Sequence, residues 1–430
     1  MDTAQIYSLY LEKRLLSTDS RKIQTGSIFF ALKGDNFDGN QFASQALETG
    51  ASHAIVDDPT VVTSDRVILV ENVLETLQDL ARLHRKSFDF PVIALTGSNG
   101  KTTTKELINC VLATRYATYA TQGNLNNHIG VPLTILAIDE NETDVAIIEM
   151  GANHEKEIAL LCSIAQPTHG LITNIGKAHL EGFGSLNGVI KAKGELYDYL
   201  SKKQGTVFVN AGNELLMEMV SKRRAFGEIV FYNSANQESC PKVIGQSPFL
   251  TYTTGDLTVS THLVGEYNFH NICAALSIAD YFELAPDDAH LAISRYTPTN
   301  NRSQIIEQNT NVIVLDAYNA NPSSMAAAID NFSKMEAEKK MVILGDMLEL
   351  GNDSESEHEA LGELIAAGNF DTVLLFGNQI LPALKKLPRA FYFTDKFSLH
   401  NWIIDHPQRN THVLVKGSRG MGLESVVAFL

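Results

Sequence analysis

A lysine and a threonine set directly behind a glycine-bearing turn are the residues of this chain best suited to chemistry. In Val92-Ile93-Ala94-Leu95-Thr96-Gly97-Ser98-Asn99-Gly100-Lys101-Thr102-Thr103-Thr104 an apolar run enters the turn Gly97, Ser98, Asn99, Gly100, and a helical pattern leaves it. Glycines let backbone N–H groups curl round an anion, and Lys101 neutralises phosphate charge. The hydroxyl of Thr102, with Thr103 beside it, is placed to ligate the magnesium ion that accompanies a nucleotide. Leu107, Ile108, Val111 and Leu112 recur at helical spacing, so the turn joins a buried strand to an amphipathic helix. Leu95 stands where the longer phosphate-loop pattern has its first glycine, so this is the shorter GxxGKT form.

Polar residues that end other apolar runs extend the candidate chemistry, because ligands of open parallel sheets bind beyond the carboxyl ends of the strands. Glu149 closes Val145-Ala146-Ile147-Ile148; it reads as a magnesium ligand or as a capping carboxylate. His179 follows the run ending at Thr173 and reads as a metal ligand, an orienter of a carboxylate or a structural histidine. Lys193 has Val189, Ile190, Leu196, Tyr197 and Leu200 as its helical neighbours, which places it in an apolar stripe, whereas Lys191 shares a polar face. A lysine there is paired, modified or functional, or it snorkels to water along its stem. Further on, Asp316, Tyr318 and Asn319 gather at one strand mouth, while Asn321 and Pro322 are explained as a helix cap and first helical residue. Lys416 and Arg419 stand at another mouth, which suits an anionic carboxylate or phosphate or a solvated loop.

The elements that must hold these residues are of α/β type. With 430 residues, and roughly 150 residues per domain, about three domains are expected, each large enough for its own core. Residues 1–85 read as a small α/β unit with a helical stretch from Gln41 to Leu47. Residues 86–297 read as a central block with buried parallel strands, an antiparallel annex around 249–259, and a helix from Asn268 to Phe282. Residues 298–430 read as a second doubly wound unit. Apolar residues make up 44% and charged residues 20%, as in ordinary globular proteins. A net charge of −16 argues against nucleic-acid and anionic-membrane partners, so any anionic ligand must be held by local cations and backbone amides. No window approaches a membrane span, and the first residues carry no leader pattern. Cys110, Cys162, Cys240 and Cys273 lack metal or disulfide spacing and read as core filler in a reduced, cytoplasmic compartment.

Several segments, taken in order, resemble the Mur ligases, ATP-dependent amide-forming enzymes of bacterial peptidoglycan synthesis. They are Asp19-Ser20-Arg21, Phe30-Ala31-Leu32-Lys33-Gly34, the phosphate loop, Gly123-Asn124-Leu125-Asn126-Asn127-His128-Ile129-Gly130-Val131-Pro132, Glu149-Met150-Gly151, Gly265-Glu266-Tyr267-Asn268-Phe269-His270-Asn271, and Asp316-Ala317-Tyr318-Asn319-Ala320-Asn321-Pro322. The resemblance implies an N-terminal domain for the UDP moiety, a central P-loop ATPase, and a C-terminal Rossmann-like domain that closes over the nucleotide, in a monomer. It implies ATP and two Mg2+ ions as cofactors, and UDP-N-acetylmuramoyl-tripeptide and D-Ala-D-Ala as partners joined through an acyl phosphate.

By the same resemblance Lys101 and Thr102 hold phosphates and a magnesium ion, Glu149 and His179 serve the metal site, and Lys193 is carbamylated to help bind the second magnesium. Asn268, Asn271, Arg302 and Asp316 belong to the nucleotide, Ser20 and Arg21 to the UDP site, and Asn126 and Asn127 to the peptide. Tyr318, Asn319, Lys416 and Arg419 are left for the substrate side of the C-terminal mouths. A sister ligase that adds a single amino acid commonly carries a DNPR-type motif in its C-terminal domain, and this chain has DAYNANP and no DNPR. A folylpolyglutamate-synthetase-like enzyme shares the ATPase core, and the extra N-terminal unit with Asp19-Ser20-Arg21 argues against it.

Overall fold

The computed structural model describes residues 1–34, 36–233, 241–245 and 248–430; Cys240 lies outside them. Parallel sheets organise the chain. Four short parallel strands, Leu16–Ser17, Ile28–Phe30, His53–Val56 and Val67–Leu69, form the N-terminal sheet. Gln41 belongs to a 3-10 turn, Gly39–Phe42, and the α-helix there begins only at Ala43, because the Asp38 side chain accepts from Asn40 N and tightens the entry.

The central sheet has six parallel strands in the spatial order Glu228–Tyr232, Thr206–Asn210, His169–Ile172, Val92–Thr96, Val145–Glu149, Thr118–Ala120. Val92–Thr96 comes first in the chain, and the later strands are laid down on both its sides. The sheet's direction of growth therefore reverses beside it, which opens a crevice at its carboxyl end. An antiparallel three-stranded sheet, Lys242–Gly245, Thr251–Thr254 and Leu257–Ser260, forms the annex. The C-terminal sheet also has six strands, and only its edge pair Gln304–Gln308 and Asn311–Asp316 is antiparallel.

At the first junction the N-terminal unit has a core of its own and also shares one with the central unit. One face of the N-terminal sheet, through Phe29, Ala31 and Ala54, packs in a small cluster of its own. The opposite face, through Ile28, Phe30 and Ile55, joins a cluster that runs on into Val92, Val131, Ile148 and Leu196 of the central unit. The helix Val73–Arg85 is the reason: Leu77, Leu80 and Ala81 are fully buried between the two units, so its apolar stripe serves both. Polar contacts finish the seam. Tyr10 donates to the Leu136 carbonyl, and Arg14 forms a fork on Glu140 with both N–O distances at 2.7 Å.

His84 is fully buried in the same seam, with Nε2 2.9 Å from the Ile138 carbonyl and Nδ1 3.0 Å from the Tyr7 hydroxyl. A carbonyl only accepts, so Nε2 carries a proton, and burial lowers the ring's pKa, which favours its neutral form. The unfolded chain takes up a proton below about pH 6.5 that folded His84 refuses, so stability present above that pH is lost as pH falls. Melting temperatures at pH 7.5 and 5.5 are expected to show this loss, and a His84→Phe variant, whatever its own starting stability, is expected to lose less between the two.

Candidate active site

The phosphate loop is held by the segment that follows the neighbouring strand. Ser98 N donates to the Asn174 carbonyl at 3.0 Å and Asn99 N to Asn174 Oδ1 at 3.0 Å, while Asn174 Nδ2 returns a bond to the Asn99 carbonyl at 3.0 Å. Two glycines are obligatory in this geometry. A Cβ on Gly97 would fall 2.0 Å from Thr173 Oγ1, and one on Gly100, at φ +77°, would fall 2.7 Å from Asn271 Oδ1. Gly100 opens the helix Lys101–Leu112 with no side-chain cap, so its first N–H groups remain for an anion.

Lys101 curls over the loop, with Nζ 2.7 Å from the Gly97 carbonyl and 3.2 Å from that of Ser98. Burial pulls its pKa down to about 8, against the opposing pull of Glu149. Thr102 is buried at the helix start, and Thr103 lines the cavity above it. Behind the loop, Thr104 Oγ1 donates to Asn271 Oδ1 at 3.0 Å and Asn271 Nδ2 to Asn268 Oδ1 at 2.8 Å, which locks both asparagines against the loop.

Glu149 ends its strand at 1% exposure. Its Oε1 accepts from Asn126 Nδ2 at 2.7 Å, and its Oε2 is buried without a hydrogen-bond partner. His179 sits in the left-handed region at φ 52° and pairs through Nδ1 with Glu349 of the C-terminal unit, which is itself left-handed at φ 64°. Lys193 lies on the helix Leu186–Lys203 at 1% exposure, and its neighbour Lys191 is solvated, as the helical spacing requires. The Lys193 ammonium donates to the Ala152 carbonyl at 3.1 Å and lies 5.0 Å from the Phe183 ring centre. Burial, with the charge of Lys101 second, lowers its pKa to about 7.

Across the cavity the C-terminal strands bring Asp316 and Lys416, 100 residues apart, into register as direct partners, with Nζ 2.6 Å from Oδ2. Tyr318 stands between two guanidinium groups: Arg302 lies 3.8 Å and Arg419 4.9 Å from its ring centre, and Arg419 also donates to its hydroxyl at 2.9 Å. Asn321, besides capping its helix, reaches Asn99 Oδ1 of the phosphate loop at 2.8 Å. The space enclosed between the two sheet mouths measures about 570 Å3.

This cavity gathers most of the residues singled out in the sequence: Ser98 to Lys101, Thr103, Asn126, Asn127, Glu149, His179, Asn268, Asn271, Arg302, Asp316, Tyr318, Asn319, Lys416 and Arg419. Gly97 and Thr102 lie beneath its floor, and Lys193 meets it through Ala152. Ser20 and Arg21 sit apart, on an accessible 3-10 turn where Asp19 holds the Arg21 side chain at 2.8 Å. Sequence reasoning passed over Glu349, Tyr267 and Ser303, which also line the space. Nothing local distinguishes Glu349, whose importance comes from a partner 170 positions away.

The donor set suits magnesium. Glu149 Oε2 is an acceptor in need of a positive partner, and the Thr102 hydroxyl is an oxygen at a phosphate-binding helix start. Among the described residues no cluster of three or more His, Cys, Asp or Glu forms a full protein cage. Magnesium asks for none, since it keeps waters and shares nucleotide oxygens.

Three family descriptions match the sequence in turn: "Mur ligase family, catalytic domain" over residues 14–85, "Mur ligase middle domain" over 95–279, and "Mur ligase, glutamate ligase domain" over 301–419. The UDP-N-acetylmuramoyl-tripeptide--D-alanyl-D-alanine ligase of Bacillus subtilis is 37% identical over 427 residues, covering 96% of this chain and 92% of that one. Among solved structures, the MurF ligase of Thermotoga maritima in complex with ADP aligns with a TM-score of 0.85 at 29% identity, over 97% of both chains. MurF of Acinetobacter baumannii aligns with a TM-score of 0.84 at 31% identity, over 96% of this chain and 92% of that one. Matched along nearly its whole length in both sequence and fold, the chain belongs to the Mur ligase family.

Proposed function

We propose that this Mur ligase joins D-Ala-D-Ala to UDP-N-acetylmuramoyl-tripeptide with ATP as phosphoryl donor, the last peptide addition to the peptidoglycan precursor. The observation that carries the reading is the facing of two unlike mouths. A phosphate loop with Lys101 and Glu149 stands on one side, and the guanidinium groups of Arg302 and Arg419 beside the Lys416–Asp316 pair on the other, around one space. The peptide carboxylate attacks the γ-phosphorus, ADP leaves, and an acyl phosphate results. The dipeptide amine then attacks the acyl carbon, loses a proton and expels phosphate.

In this reading the side chains divide the work by charge. Lys101 exchanges its two loop carbonyls for phosphate oxygens, a gain because an anion is a stronger partner for a desolvated ammonium than a carbonyl. Asn268 and Asn271 flank the adenosine, and Arg302 and Asp316 reach the nucleotide from the C-terminal unit. Asn127, open to the cavity, contacts the tripeptide, and Ser20 and Arg21 belong to the UDP end. Tyr318, Asn319, Lys416 and Arg419 receive the dipeptide and its carboxylate. Thr102, Glu149 and His179 would hold a magnesium ion, which when bound would supply charge neutralisation between the reacting anions. Closure of the C-terminal mouth over the loop keeps water from the acyl phosphate.

Lys193 is assigned to a carbamate. A buried amine with a pKa of about 7 is substantially neutral near pH 7, and a neutral amine adds to carbon dioxide with release of one proton. The product is an anion that serves the second magnesium. The domain limits 1–85, 86–297 and 298–430 are proposed with these roles.

Phosphate release from ATP in the presence of UDP-N-acetylmuramoyl-tripeptide is expected to require D-Ala-D-Ala; release with a single amino acid would instead mark a sister ligase. Lys101→Ala is expected to lower kcat by about 100-fold or more, because it removes charge stabilisation developed during phosphoryl transfer. Lys193→Ala is expected to be inactive and to regain activity with added short carboxylates. With 13C-bicarbonate, the carbamate resonance of the wild type should grow as pH rises through about 7, and it should be absent from the variant.

A further inference from the structure

We infer that Asn126 is a positioning residue for Glu149, holding its carboxylate so that one oxygen is left to face the cation, rather than a contact for the peptide substrate. The inference rests on the reading of Glu149 as a metal ligand and adds to it the group that aims it.

Glu149 has two oxygens in different circumstances. Oε1 is satisfied by Asn126 Nδ2 at 2.7 Å, and Oε2 is buried with no partner. A buried carboxylate oxygen without a donor is costly, so the carboxylate would turn unless something held it. Asn126 is equipped to hold it. Its own carbonyl accepts from Gly151 N at 2.8 Å, two residues past Glu149, and its side chain lies flat against Gly151, where a Cβ would fall 3.0 Å from Oδ1. The loop carrying Asn126 is thus fastened to the strand exit at two points, one through backbone and one through side chain. Glu149 is fastened from behind as well, its N–H donating to Thr121 Oγ1 at 3.0 Å.

The neighbouring loop residues differ. Asn124, Asn127 and His128 are exposed to the cavity, and although Asn127 Oδ1 accepts from Ile129 N and Gly130 N its Nδ2 is not so engaged, whereas Asn126 is half-buried with its Nδ2 held by Glu149. Only a neutral donor fits this position. Aspartate would place like charge against Glu149, and alanine would leave both oxygens without a donor. Partners of this kind around a metal ligand typically govern affinity by 10- to 100-fold, an order-of-magnitude range.

The test uses the full chain as wild type, Asn126→Ala, Glu149→Gln and the double variant, with melting curves to confirm folding. Mn2+ binding to the protein–ADP complex is followed by electron paramagnetic resonance, and KM for UDP-N-acetylmuramoyl-tripeptide is taken from initial rates. Asn126→Ala is expected to weaken Mn2+ binding about tenfold or more, with KM for the nucleotide peptide held within about twofold. In the Glu149→Gln background the same change is expected to add nothing to the loss of Mn2+, because the two residues act as one unit. Wild-type Mn2+ affinity in Asn126→Ala with a raised KM would overturn the inference and return Asn126 to the substrate. Wild-type Mn2+ affinity in Glu149→Gln would overturn the metal reading of Glu149, and this inference with it. Should the alanine variant fail to fold, the nearly isosteric and uncharged Asn126→Leu carries the same comparison: weakened Mn2+ affinity at unchanged KM supports the inference, and wild-type Mn2+ affinity with a raised KM overturns it.

Discussion

The site depends on holding cations out of water with partners weak enough to surrender them. Lys101 leans on the carbonyls of Gly97 and Ser98, and Lys193 on the carbonyl of Ala152 and the face of Phe183. Burial lowers both pKa values, and the charge of Lys101 adds to the effect on Lys193. A carbonyl satisfies the geometry of an ammonium without neutralising it, so each lysine keeps a standing preference for an anion. The opposite condition holds at Glu149, where a buried carboxylate keeps one oxygen unpartnered. Around this cavity unmatched charge of both signs comes together, and an anionic ligand with its cation would match it.

The fold supplies two kinds of seam to support that arrangement. Between the N-terminal and central units the apolar cluster is continuous, and non-directional burial over so many side chains fixes their relation firmly. Between the central and C-terminal units, Leu180, Val264 and Phe249 pack on the C-terminal cluster, and polar contacts across the mouths include Asn321 to Asn99, Lys177 to Glu357 and His179 to Glu349. Lys177 is exposed, and Lys177 and His179 each pair across the seam where water competes, so such pairs contribute modestly one by one. A seam of this composition holds its two units less firmly than the first.

The polar pairings also explain why several residues have two descriptions. Asn321 caps its own helix and touches the phosphate loop; His179 ends a loop of the central unit and grips the C-terminal one. Asn126 follows the same logic, with its carbonyl in the backbone network and its amide on a carboxylate. At each position a local structural role fixes the side chain, and the fixed side chain then addresses a distant partner.

Local periodicity made much of this legible in the sequence. The phosphate loop, the strand-end positions of Glu149 and Asp316, the cap at Asn321, and the burial of Lys193 beside solvated Lys191 are consequences of spacing over a few residues. Other features required the tertiary structure: the pairing of Asp316 with Lys416 through strand register, the Arg302–Tyr318–Arg419 stack, the grip of Glu349 on His179, and the aim of Asn126 at Glu149. The core shared across the first junction was also hidden, because an apolar stripe declares that a helix face is buried and not against what. The amino-acid sequence determined the elements, the loop chemistry and the inventory of charges, since each follows from short-range sterics and burial. Which charges face one another was decided only when packing and register brought separate chain segments, some of them a hundred or more residues apart, around a single space.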